Sequence, residues 1–170
     1  MKMIDRITLK DCIQFAVKTE DRASGFYREL AYKFGDDQEM VNLFNKLSGD
    51  EENHRRQFSQ ILDGLSETDN MECSSDKCSY LKAMSMPDFF NDPDSPFQDV
   101  DKIQGRDDAL GMALDFEKAT LGFYQAMNDI FGQKGSLEQI MDAEKLHISN
   151  LMTAMLVEGS KFRSLDDRWY

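Results

Sequence analysis

Residues 47–58 read LSGDEENHRRQF and residues 140–151 read IMDAEKLHISNL. The chain has two histidines, His54 and His147, and each follows a glutamate by three positions, Glu51 and Glu144. Residues three apart on an α-helix share a face, so each pair can bring a carboxylate and an imidazole to one point. Apolar residues at steps of three and four continue that face in both directions. Met40, Phe44, Leu47, Phe58 and Ile61 flank the first pair; Leu137, Ile140, Leu151 and Ala154 flank the second. Such a period is that of an amphipathic helix, and it places both pairs on core-facing seams.

One helix earlier in each half lies another seam glutamate. Ile13, Ala16, Glu20, Ala23, Tyr27, Leu30 and Phe34 form one seam, and Leu110, Ala113, Glu117, Thr120, Tyr124, Met127 and Phe131 another. The periodicity predicts helices over 8–34, 37–63, 107–131 and 136–158. Thr8 with Asp11 is a capping-box variant, Ser136 has Gln139 at the capping-box position, and Gly35 is a natural stop. No segment sustains the alternation of a strand. Between the second and third long helices, residues 66–106 contain all three prolines, Pro87, Pro93 and Pro96, with a short helix expected near Tyr80–Met84. Phe89, Phe90 and Phe97 are expected to pin this connection to the core.

The halves repeat. Ala16, Glu20, Gly25, Phe26, Tyr27, Phe34 and Gly35 recur as Ala113, Glu117, Gly122, Phe123, Tyr124, Phe131 and Gly132, at an offset of 97. Short connections make each half an antiparallel hairpin, and the long crossover allows the second and third long helices to run parallel. The predicted fold is all-α: one domain over 1–170, a four-helix bundle of two hairpins, with Glu20, Glu51, Glu117 and Glu144 around one point. One irregularity stands out. Glu20 and Glu51 are centred on the Gly35–Asp36 turn, whereas Glu117 and Glu144 are centred near Ile130. Level carboxylates then require the third long helix to end early or its loop to double back.

Four buried carboxylates need compensation, because an unpaired buried charge costs several kcal/mol even after relaxation. Two divalent cations would neutralise them, and the two imidazoles would complete the coordination without adding charge. Carboxylate and imidazole donors at adjacent centres suit two iron ions, with manganese or zinc as alternatives. On this reasoning, replacing Glu51 or Glu144 by Ala would leave the metal-free chain no less stable. Tyr27 and Tyr124, two turns after Glu20 and Glu117, are candidate hydrogen-bond donors to the ligand carboxylates. Asp50, Glu52 and Asp142 are read as surface charges.

Bulk properties narrow the function classes. At 41 % apolar content the chain is an ordinary globular one, and its net charge of −12 argues against nucleic acid or anionic membrane as partners. No apolar run approaches the roughly 20 residues of a membrane span. The N-terminus lacks an apolar signal core, so a cytoplasmic location is expected. Of the three cysteines, Cys73 and Cys78 are separated by four intervening residues, and no second Cys pair exists to complete an iron or zinc site. Free thiols are expected in a reducing compartment.

With these motifs the chain resembles the ferritin-like superfamily, and within it the rubrerythrin-type di-iron proteins. The resemblance covers both hairpins and rests on Glu20 with Gly25-Phe26-Tyr27, Glu51-x-x-His54, Glu117 with Gly122-Phe123-Tyr124, and Glu144-x-x-His147. It implies a di-iron or di-manganese carboxylate bundle with Glu20, Glu51, His54, Glu117, Glu144 and His147 as metal ligands. It also implies a peroxide- or dioxygen-driven Fe(II) oxidation. Two departures bear on the reaction. Rubrerythrins proper carry a further glutamate where this chain has Thr120, so the set of six is more like that of bacterioferritin. They also carry a C-terminal rubredoxin domain, and no Cys quartet occurs here. The electron donor is therefore expected to be a separate rubredoxin-like protein or flavoprotein, and the assembly a homodimer. The alternatives are an iron-storage ferroxidase and a non-catalytic metal-binding bundle. The charged tail 161–170 is short for the fifth helix of large ferritin cages.

Overall fold

The structure is a computed structural model that describes residues 7–67, 71–84, 97, 99–132 and 135–157. It contains α1 (Leu9–Lys33), α2 (Gln38–Gly64), α3 (Ser75–Met84), a 3-10 turn (Val100–Lys102), α4 (Arg106–Phe131) and α5 (Ser136–Val157). No strand occurs among the described residues, and the one β-bridge pairs Thr8 with Glu72. The four long helices fall where the period placed them, within two residues at each end. The short helix is longer than expected and begins at Ser75. The expected contacts of Phe89 and Phe90, and the tail 161–170, lie outside the described residues.

Local chemistry sets the boundaries. Thr8 caps α1 through a complete capping box: its hydroxyl accepts from the Asp11 amide at 3.2 Å, and the Asp11 carboxylate accepts from the Thr8 amide at 2.9 Å. Asp37 caps α2, accepting from the amides of Glu39 and Met40. Gly132 ends α4 in the left-handed region, φ 66°, a conformation a Cβ disfavours. Ser136 is the first residue of α5 rather than its cap, because the Gln139 amide donates to the Gly135 carbonyl. The third long helix does not end early: α4 runs on to Phe131, so Glu117 has 14 helical residues after it while Glu144 has 8 before it. The difference amounts to about 9 Å at 1.5 Å per residue.

α1 packs chiefly on α2, and α4 on α5. Ser24 and Ser48 set the level of the first hairpin: each hydroxyl donates to the other's carbonyl, at 3.0 and 2.9 Å. Crossed contacts between hairpins define direction. Tyr27 reaches Glu117, and Tyr124 reaches Glu20. In both helices the tyrosine follows its glutamate by two turns, so α1 and α4 are antiparallel, and α2 runs parallel to α4 as the long crossover permits. The seam residues form one hydrophobic cluster from α1 to α5.

The crossover is tied down at three points. Phe97 is buried and stacks between Phe26 at 4.5 Å and Phe116 at 4.6 Å, which fulfils its expected role. Met84, at the end of α3, lies against Gly122 of α4, where a Cβ would come within 2.7 Å of its methyl carbon. The Cys73–Glu72–Met71 strand-like stretch hydrogen-bonds to residues 7–9. Beside it, Cys73 and Cys78 form a disulfide with Cα atoms 5.5 Å apart. This corrects the expectation of free thiols. Spacing in sequence did not convey that the first turn of α3 folds Cys78 back over Cys73, with the Cys78 sulfur 3.4 Å from the Cys73 carbonyl oxygen. Cys12 alone is a free thiol, and burial pushes it up to about 12.

Candidate metal centre

All six acid and imidazole side chains singled out in the sequence are buried, and they converge. Glu20 and Glu117 come from α1 and α4; Glu51 with His54, and Glu144 with His147, come from α2 and α5. They form two groups of four. Glu20, Glu51, His54 and Glu144 make one; Glu51, Glu117, Glu144 and His147 make the other. Within each group one donor atom per residue lies within 4.8 Å of every other. Glu51 and Glu144 belong to both groups, and Glu20 and Glu117 to one each.

Both imidazoles point Nδ1 inward. His54 Nδ1 is 2.9 Å from Glu51 Oε2 and 3.0 Å from Glu144 Oε1. His147 Nδ1 is 3.1 Å from Glu51 Oε1, 3.4 Å from Glu117 Oε2 and 3.6 Å from Glu144 Oε2. Despite these distances, His147 Nδ1 makes no hydrogen bond of proper geometry. Nor do Glu20 Oε2, Glu51 Oε1, Glu117 Oε2 or either oxygen of Glu144, all fully buried. Buried polar atoms are nearly always satisfied. Here the lone pairs aim at shared points between the side chains rather than at each other, which is how donor atoms fit a cation. The hard-oxygen and imidazole donor set suits iron or manganese.

Around this cluster the bundle closes. Tyr27 donates to Glu117 Oε1 and Tyr124 to Glu20 Oε1, so each tyrosine serves the glutamate of the opposite hairpin. Phe44 stacks on Tyr27 at 5.9 Å on one side, and Phe58 lies 4.9 Å from Tyr124 on the other. Two aromatic layers therefore exclude water above and below. Thr120 is buried, and its hydroxyl donates to the Phe116 carbonyl of its own helix.

The electrostatics revise the expected charge problem. Burial, then the charges of Glu51 and Glu144, push the Glu20 and Glu117 carboxyls well above the usual range. Burial also acts upward on Glu51, but hydrogen bonds with His147 and His54 outweigh it and hold this carboxyl low. Glu144 is lowered as well: burial and the Glu51 charge act upward, and the close approach of the Glu117 carboxyl and of the His147 and His54 rings prevails. Burial alone would lower His54, yet its bonds to Glu144 and Glu51 raise it to about 9. His147 is raised too, by its closeness to the carboxyl groups of Glu117, Glu144 and Glu51 against burial. In the metal-free chain these directions favour protons on both imidazoles and on the Glu20 and Glu117 carboxyls, which offsets the charge of Glu51 and Glu144. Deleting Glu51 or Glu144 would then remove a carboxylate that faces the buried imidazoles, which argues against the expectation that either deletion leaves the metal-free chain no less stable.

One residue read as a surface charge belongs to the site. Asp50 Oδ2 lies 3.3 Å from His147 Nε2. Asp50 immediately precedes Glu51 and sits at the edge of the buried face of α2, where it meets α5 rather than its own helix. Position in the sequence carries no trace of that meeting. Glu52 and Asp142 are surface residues as expected, paired with Arg55 and Lys145.

The family model described as Rubrerythrin matches residues 11–92. That segment holds α1 to α3 and carries Glu20, Glu51 and His54; Glu117, Glu144 and His147 lie beyond it. No curated protein and no solved structure matches the chain. No helix among the described residues is long and apolar enough to cross a membrane.

Proposed function

We propose, from the match of residues 11–92 to the rubrerythrin family model, that this chain is a non-haem di-iron oxidoreductase. Its reaction is the oxidation of Fe(II) by hydrogen peroxide or dioxygen, with peroxide detoxification as the outcome. The observation that carries this reading is the pair of four-residue groups sharing Glu51 and Glu144, with unsatisfied buried lone pairs turned inward. Glu20 with His54 would hold one iron, Glu117 with His147 the other, and Glu51 and Glu144 both. Bound iron supplies electrons and a Lewis acid for the oxidant.

The remaining work falls to the chain itself. Tyr27 and Tyr124 orient the terminal carboxylates. Burial, then the nearby carboxylates, keep both phenols protonated, well above their usual range, so they remain hydrogen-bond donors at neutral pH. The Phe44 and Phe58 layers keep bulk water out. Electrons come from a separate rubredoxin-like protein or flavoprotein, and the working assembly is a homodimer in the cytoplasm.

A ferroxidase of an iron-storage protein is the second reading, favoured by Thr120. Its hydroxyl is turned to its own helix, so the site keeps six ligands and lacks the extra glutamate of rubrerythrins proper. Anaerobic loading with Fe(II), elemental analysis and stopped-flow mixing with peroxide or oxygen test the proposal. Two irons per chain and faster oxidation by peroxide are expected. Fewer than one iron per chain would refute the di-metal site. Faster oxidation by oxygen, in a twelve- or twenty-four-subunit shell by sizing, would favour storage.

A further inference from the structure

The two halves of the centre match ligand for ligand, but their surroundings do not. His147 Nε2 is 3.3 Å from Asp50 Oδ2. The residue that precedes Glu144, as Asp50 precedes Glu51, is Ala143, which offers no acceptor. Among the described residues no hydrogen bond reaches Nε2 of His54. The inner distances do not separate the halves: His54 Nδ1 has its nearest carboxylate oxygen at 2.9 Å and His147 Nδ1 at 3.1 Å.

We propose that Asp50 is a positioning residue that makes the two metal positions unequal, so that the His147 position fills first and more tightly. The inference rests on the reading of the six buried side chains as metal ligands. A carboxylate that accepts from Nε2–H fixes the tautomer whose Nδ1 lone pair points inward, holds the ring in place and strengthens it as a donor. Such outer partners are worth about 10–100-fold in metal affinity. Asp50 also adds a negative charge behind the ring on that side alone. It is partly exposed, so solvent weakens the charge effect but leaves the hydrogen bond. His54 must be oriented by its inner contacts only. At one equivalent of metal the chain would hold a single ion at Glu51, Glu117, Glu144 and His147, rather than a mixture of empty and doubly filled centres.

Anaerobic titration of the full chain with Co(II), followed by calorimetry and by proton NMR, tests this. The chain has two histidines, so paramagnetically shifted ring N–H signals report which position is filled. Expected are two binding steps about 10–100-fold apart, with the His147 signal shifted at the first equivalent and the His54 signal only at the second. Asp50→Ala should weaken the first step by a similar factor and merge the two, while the total remains two ions. Asp50→Asn, which keeps an acceptor but not the charge, should fall between. Two equal steps in the natural chain, or an unchanged separation in Asp50→Ala, would overturn the inference and leave the di-metal centre standing. Absence of Co(II) binding altogether would remove the ligand reading itself, and the inference with it.

Discussion

Glu51 shows how a single side chain changes meaning between sequence and fold. On its helix it is one of four seam carboxylates; in the folded chain it lies against both imidazoles. Glu20, by contrast, lies beside Tyr124, and burial with the charges of Glu51 and Glu144 pushes its carboxyl upward, toward the protonated form. Glu51→Ala should therefore destabilise the metal-free chain by about 3–5 kcal/mol, the cost of breaking a buried pair. Glu20→Ala should cost about 1–3 kcal/mol for a lost buried hydrogen bond. Urea unfolding at neutral pH compares them, and an equal or larger loss for Glu20→Ala would contradict the protonation pattern. His54 supplies a pH signature. Its value is raised from 6.5 to about 9 in the folded, metal-free chain, so folding binds its proton more tightly. The stabilisation is complete below about 6.5 and disappears as pH rises through about 9. The melting temperature of the metal-free chain should fall across that window, while metal affinity rises as the competing proton leaves. A melting temperature rising from pH 6.5 to 9 would contradict this assignment.

At the scale of elements, the long helices were legible because their period repeats over many turns, and the cap of α1 because Thr8 acts on an amide three residues away. α3 and its disulfide were not. Cys73 and Cys78 are brought together by a helix start that also depends on residues 7–9, a contact between distant segments. The bridge spans a short loop, for which chain entropy gives about 2 kcal/mol. Reduction should loosen this anchor without melting the bundle. Hydrogen exchange should speed up at the amides of Leu9, Cys73 and Cys78, which bond to Met71, Ile7 and Ser74, and stay slow through the middle of α1 and α2. Faster exchange throughout would mean that the anchor is part of the global folding unit.

For the whole molecule, the pseudo-twofold arrangement makes charge balance a collective property. Without metal, the raised His54 and His147 offset Glu51 and Glu144, and Glu20 and Glu117 are pushed toward their protonated forms. Loading with two divalent ions should therefore release about four protons at neutral pH, since the ligands must bind deprotonated. Calorimetry in buffers of differing ionisation enthalpy measures this number. Release of one proton or none would show that the carboxyls are already ionised and the imidazoles already neutral.

Sequence alone determined the four long helices, the antiparallel hairpins and the six buried side chains, because each depends on spacing along a helix. A residue three positions on shares a face in any helix, and a repeated motif on a repeated seam converges in any bundle of two such hairpins. Tertiary structure alone decided what crosses between hairpins. Tyr27 pairs with Glu117 rather than Glu20, Asp50 meets His147, and Cys78 closes on Cys73. It also decided which carboxyls are pushed upward and which are held low. Protonation follows from distances among four helices, and no one-dimensional pattern encodes those distances.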